Sequence, residues 1–175
     1  LPARKVLIKI SRIVVRGNDA EQSEVFLDER LLLSPGLAVH ESYNMAVKMS
    51  DIARSCVLTA MGLMLSYDND KAADVKTEET ELDMYEDKLG SFLVKLSASA
   101  LSDNDSADVS KLLHNIGDFE RIGDHALNIR QSAKEMHEKG LTFSEHATEE
   151  VDLLFSALNE ILTLAMDSFK DDDLD

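Results

Sequence analysis

The 175-residue sequence predicts an all-α fold, an antiparallel up-down helical bundle, and three observations carry that prediction. Apolar residues recur at alternating three- and four-residue spacing over long stretches, which is the period of one helix face and not of a strand. Breakers are scarce: there are two prolines and seven glycines, and neither proline lies beyond position 35. Aromatics are 5% and tryptophan is absent. Leu, Ala and Met therefore supply most of the apolar mass, and these residues suit helices better than sheets.

Each element follows from local pattern. Residues 1–16 read as a short amphipathic helix with Val6, Ile10 and Ile13 on one side. Residues 17–33 read as a linker that packs some apolar groups, Val25, Phe26 and Leu27, then Leu31 to Leu33. Ser34-Pro35 is a helix start, with Ser34 as N-cap and Pro35 in the first helical position. From there Met45, Met49, Ile52, Cys56, Thr59 and Leu63 predict a long helix to about Ser66. A polar turn, Asp68 to Asp70, precedes a second helix with the stripe Leu82, Tyr85, Leu89, Phe92, Leu93 and Leu96. After Ser102 to Ser106 a third helix carries its stripe from Leu112 through Ile116, Phe119 and Ala126 to Met136. It stops at Gly140, a favoured residue just past a helix end. Ser144 caps a fourth helix whose Val151, Leu154, Phe155, Leu158, Ile161, Leu162 and Ala165 are expected to face inward. The acidic tail, Asp171 to Asp175, is expected to fray. Two units result: residues 1–33 as a basic segment and linker, and residues 34–175 as the bundle, with short loops making consecutive helices antiparallel neighbours.

Charge narrows the function classes. The net charge of −16 excludes nucleic acid as a partner, since phosphate binding needs a basic surface. Residues 1–16 hold Arg4, Lys5, Lys9, Arg12 and Arg16 and no acid, a local +5 that leaves −21 on the rest. A basic, apolar head of this kind suits a juxtamembrane position on the cytoplasmic side, with those five cations against the membrane surface. No stretch of 18 apolar residues occurs, so no segment of this sequence is long and apolar enough to span a bilayer as a helix. The chain starts at Leu1 and is expected to be cut from a longer membrane protein. The single cysteine, Cys56, sits on an apolar stripe and is expected to be a buried, unreactive thiol in a reducing compartment.

The run 115–130, NIGDFERIGDHALNIR, is the best functional clue. Gly117 and Gly123 each cost a helix about 1 kcal/mol relative to alanine, which implies a close approach to the backbone by a helix or a bound group. Glu120 and Asp124 are spaced i, i+4, so their carboxylates share a face. Glu79 and Asp83 repeat that spacing on the second helix, with Asp87 a turn further on. If the two helices are antiparallel neighbours, these pairs meet on the bundle flank, where four carboxylates suit a hard or borderline cation. The same pattern also arises on any solvated acidic face, and both readings stay open here. Asp68 to Glu79 imitates a calcium loop, but Ala72 and Ala73 replace an oxygen ligand and the essential glycine, so it reads as a solvated turn. There is no H-E-x-x-H motif and no glutamate followed three residues later by histidine, so the ferritin-like di-iron plan has no support. His125 reads as a supporting or packing group, and Arg121 as the partner of a nearby acid.

The segment Phe119 to Ala126, F-E-R-I-G-D-H-A, resembles the signature of PhoU-like domains, helical phosphate-signalling proteins. The resemblance implies a three-helix repeat, here followed by a fourth long helix. It also implies acid-x-x-x-Asp motifs on two helices, matched by Glu120 and Asp124 and by Glu79 and Asp83. In that family such motifs hold iron, zinc or another divalent metal ion on the bundle surface. A narrower likeness, in Leu27 to Leu31, Ser34-Pro35, Leu82 to Glu86 and Phe143 to Glu145, is to the cytoplasmic domain of bacterial sodium/phosphate cotransporters. It implies a non-catalytic regulatory domain attached to a transmembrane phosphate transporter, on the cytoplasmic face of the plasma (inner) membrane. Only one E-R-I-G-D-H-A helix is present, whereas full members of the family carry two repeats. The second half of the metal apparatus is then expected from a homodimer partner. A stand-alone metal-carboxylate enzyme and a structural dimerisation bundle are the alternatives. The first needs a pocket with an open metal position and a base, and no Ser-His-Asp, Cys-His or phosphate-loop pattern occurs. The second needs an exposed apolar stripe on one helix.

Overall fold

The computed structural model describes residues 27–171. Over these residues a 3-10 turn, Glu29–Leu33, leads into α1 (Pro35–Leu65), α2 (Asn69–Ser97), α3 (Asp103–Glu138) and α4 (Glu145–Asp171), with no strand among them. The expected helix at residues 1–16, with its cations, the packing of Val25 and Phe26, and the tail beyond Asp171 lie outside the described residues.

Capping chemistry sets the boundaries. Pro35 stands in the first turn of α1, but the Ser34 side chain makes no capping bond. The entry is held instead by the 3-10 turn, where the Ser34 N–H donates to the Leu31 carbonyl at 2.8 Å. Asp68 caps α2 by accepting from the N–H groups of Asp70 (2.8 Å) and Lys71 (3.0 Å). Residues from Asn69 onward are therefore helical, and the acidic run to Glu79, expected as a solvated turn, is the opening of α2. The helix is reached early because Asp68 satisfies two N–H groups that would otherwise lack partners. Ser102 caps α3 by accepting from the Asp105 N–H at 3.1 Å. Gly140 closes α3 with φ +63°, the left-handed geometry in which glycine carries no Cβ penalty. Ser144 accepts from the Ala147 N–H at 3.2 Å and opens α4.

Cross-helix contacts give an alternating, up-down order. Ser55 and Cys56 of α1 meet Glu78 and Val75 of α2, while Arg130 of α3 donates from Nε to the Ala72 carbonyl of α2. Tyr43 near the start of α1 donates to the Lys170 carbonyl at the end of α4, at 2.6 Å. The main core joins α1, α2 and α3 through fully buried Met49, Leu82, Leu89, Leu93 and Ile116. All six residues of the α2 stripe are buried, as the 4-3 spacing predicts. A second cluster around Cys56, Met61, Leu63, Val75 and Ala126 fills the other end. Leu27, Leu31 and Leu32 pack against the main core, whereas Leu33 points to solvent.

The fourth helix departs from expectation. Among the helices it packs closely only along α1, and Met166 is its one buried residue. Phe155 and Leu162 reach the core from its inner side, and Phe169 meets the Phe119 ring edge-on at 5.2 Å. Leu154, Leu158, Ile161 and Ala165, expected to face inward, are exposed. The apolar arc of α4 is wider than the strip that α1 and the Phe119 ring cover, so part of that arc is left uncovered.

Candidate functional site

The site begins with a glycine. A Cβ at Gly123 would stand 2.6 Å from Leu82 Cδ1, so α2 and α3 approach closely here and a side chain at this position would force the Leu82 tip to move. Gly117 has nothing within 4 Å of such a Cβ. Of the two glycines that suggested close approach, one lies against the neighbouring helix and the other does not.

Each residue of that contact is followed in sequence by an acid, Asp83 after Leu82 and Asp124 after Gly123. The close approach therefore carries carboxylates from two helices to one flank. Glu79 and Glu120 are half-buried, while Asp83 and Asp124 are exposed. This is the flank placement that their position beside the apolar stripes predicts.

The electrostatics tie the four together. The Glu79 carboxyl is pushed above the ordinary range first by desolvation and then by Asp83, with Asp124 adding to the rise. Asp83 is raised first by desolvation, then by Asp124 and Asp87. Glu120 is raised by desolvation, then by Asp124, Asp83 and Glu86, and a hydrogen bond in which Glu120 donates to Asp124 adds to the rise. Asp124 is thus the common neighbour of the other three. Like charges held this close oppose ionisation of the set, and a cation among them would relieve the repulsion.

No three His, Cys, Asp or Glu side chains among the described residues converge as a ready ligand cage. The donor chemistry nevertheless fits a divalent ion: hard carboxylate oxygens on neighbouring turns of two helices, two exposed and two half-buried. Glu86 joins the cluster and escaped the sequence reading. Its signal was its place seven residues after Glu79, two turns along the same face of α2.

The other candidates resolve simply. His125 and His114 are exposed. Arg121 pairs with Asp118 at 3.6 Å, an acid partner as expected. Cys56 is buried, and desolvation, with Glu78 and Glu79 nearby, pushes its thiol up to about 12. It is not a nucleophile at neutral pH. Glu78 is half-buried between α1 and α2, accepts from Ser55 Oγ at 2.9 Å, and is raised mainly by desolvation.

Long antiparallel helices with a close α2–α3 crossing and a shared acidic flank define an all-helical bundle domain. The family model of the PhoU domain matches residues 46–133, which is half of the chain. The chain belongs to the PhoU domain family, which points to a regulatory domain of phosphate homeostasis. The match runs from within α1 to within α3, so α4 lies outside it. No curated protein and no solved structure matches the chain.

Proposed function

We infer that this PhoU domain is the cytoplasmic regulatory domain of a sodium-dependent phosphate transporter, and that Glu79, Asp83, Glu120 and Asp124 hold a divalent cation such as iron or zinc. The observation that carries the reading is the gathering of like-charged carboxylates around Asp124, where Gly123 lets α2 and α3 touch. A bound cation would clamp α2 to α3. It would bias an attached transporter only insofar as the two transporter states differ in affinity for the clamped domain. Among the described residues no helix is long and apolar enough to cross a membrane, so the domain acts on a pathway supplied by other parts of the assembly. The basic segment 1–16 suits a position beside the anionic leaflet, with the acidic body held away from it.

The test is phosphate uptake by the transporter carrying this domain, compared with the same protein lacking residues 17–175. A change in rate or in the response to external phosphate supports regulation, and identical behaviour removes it. Metal content, measured on the purified chain and on its Glu120→Gln/Asp124→Asn form, decides the cation separately. Phosphoester hydrolysis by the chain, abolished by Asp124→Asn, would instead establish the enzyme alternative. The uncovered face of α4 supports a second reading, an association role, because a dimerisation bundle needs such a stripe.

A further inference from the structure

The outer side of α4 gathers the largest set of exposed apolar side chains among the described residues. The other exposed large apolar residues, Leu33, Leu37, Leu65, Val94 and Leu141, lie in the end turns of helices or outside them. On α4, Leu154, Ala157, Ile161 and Leu164 follow 3-4-3 spacing and all four are exposed. Ser168 continues the spacing, and no charged residue interrupts this seam from Leu154 onward. Alternation of three and four along one narrow line is the pattern by which a helix pairs with a second helix. Exposure is 55% at Leu154, 61% at Ile161 and 64% at Leu164. Leu153 and Glu160 flank the seam on one side, Leu158 and Ala165 on the other.

The surroundings of the seam select its occupant. Glu149, Glu160 and Asp167 run along one edge, and α4 carries no Lys or Arg before Lys170. Helices that lie on an anionic leaflet have the opposite, basic edge. A helix of matching period fits, and among the described residues only α4 presents such a face. A second copy would therefore set α4 on α4, the self-complementary contact of a twofold pair. Five large side chains with this exposure present on the order of 500 Å² per chain and 1,000 Å² per pair, the size at which specific interfaces begin.

Charge also decides the orientation. In an antiparallel pair each flank meets the same flank of the other copy, which puts Glu160 beside Glu160. In a parallel pair opposite flanks meet, Leu153 against Leu158 and Glu160 against Ala165, and no like charges face each other there. Ile161 followed by Leu164 also repeats the alternation of a β-branched residue and leucine that favours two parallel helices. Toward the start of α4 the seam ends at Glu150, which lies 3.6 Å from His146 of its own helix.

We propose that two copies of the chain pair in parallel through the outer faces of α4, with Leu154, Ile161 and Leu164 each against its counterpart. The pairing gives the association role of α4 a partner and an orientation. It rests on that reading and is independent of the cation and the transporter. The charge of −16 on each copy opposes approach at long range, so added salt should strengthen the pair by screening.

Sedimentation velocity on the whole chain, over a concentration series at low and high salt, tests the pairing. The expected result is a monomer–dimer equilibrium that shifts toward dimer with salt. Ile161→Asp should weaken it about tenfold or more, because a charge replaces a buried apolar contact, while circular dichroism shows the helices intact. Leu154→Cys and Leu164→Cys, oxidised separately, test the orientation. These positions are about 15 Å apart along the helix, and a disulfide needs Cα atoms within about 7 Å. A parallel pair links each form to itself. An antiparallel pair links at most one of them to itself. A link that forms only when the two are mixed would keep the association role of α4 and overturn the parallel pair. A dimer unchanged by Ile161→Asp would place association elsewhere and remove both. A monomer at every concentration, or binding of phosphatidylserine vesicles that Ile161→Asp abolishes, would also overturn the proposal.

Discussion

Gly123 of α3 lies so close to Leu82 of α2 that the first carbon of any side chain there would stand 2.6 Å from Leu82 Cδ1. Leu82 is fully buried, so its tip can yield only by repacking against its neighbours. The contact sets how near α2 and α3 come, and with it the spacing of the acids that follow each residue.

Alanine at this position is expected to destabilise the chain. The helix gains about 1 kcal/mol from replacing glycine, but overpacking against a fully buried leucine costs about 1–3 kcal/mol. The net loss for Gly123→Ala should be about 1 kcal/mol in urea denaturation. Gly117→Ala meets nothing within 4 Å and should stabilise by about 0.5–1 kcal/mol. Equal effects at the two positions would contradict the close contact.

Acidic repulsion on the flank predicts a pH dependence of known sign. Glu120 is raised first by desolvation and then by Asp124, so the folded chain holds its proton to higher pH than the unfolded one. Stability is therefore lost as pH rises from the ordinary glutamate range through the raised value, and the loss persists at pH 7. Glu120→Gln should be more stable than the parent at pH 7, by about 0.5 kcal/mol after allowance for solvent screening. That advantage should vanish below the ordinary range. Urea melts of both forms at pH 7 and pH 4 measure it, and an advantage that grows at low pH would refute the assignment.

Cation binding has its own signature. A divalent ion that binds only the folded chain raises stability by about 2.7 kcal/mol at a hundredfold excess over Kd. Manganese added to the metal-free chain should raise Tm, and the Glu120→Gln/Asp124→Asn form should lose that response while keeping its helicity. An equal rise in both forms would place any bound ion elsewhere.

The end of α4 hangs on α1 through the Tyr43 hydroxyl, which donates to the Lys170 carbonyl at 2.6 Å, and through the Lys170–Asp51 pair at 2.5 Å. Tyr43→Phe should cost about 1 kcal/mol, and the effect should concentrate in faster hydrogen exchange over residues 159–171. An even effect over all four helices would show that α4 does not move as a separate unit.

Cys56 should be silent toward thiol reagents in the folded chain, since it is buried and its thiol is pushed up to about 12. Labelling at pH 7.5 should be slow and should accelerate through the urea transition. Rapid labelling of folded protein would contradict the burial.

The α2 stripe was legible in the sequence because Leu82 to Leu96 sit at helical spacing on a helix flanked by two others, so period and burial coincide. The caps at Asp68, Ser102 and Ser144 and the stop at Gly140 were equally local, each depending on residues within one turn. The i, i+4 pairs Glu79–Asp83 and Glu120–Asp124 were also readable, because a helix places such residues on one face whatever surrounds it. That the pairs share a flank was decided by the meeting of Gly123 and Leu82, residues 41 positions apart whose contact exists only in the packed bundle. In α4 the periodicity correctly announced an apolar face, yet Leu154, Leu158 and Ile161 point to solvent. A repeating apolar row states that a face exists, and only the arrangement of neighbouring helices determines whether anything covers it.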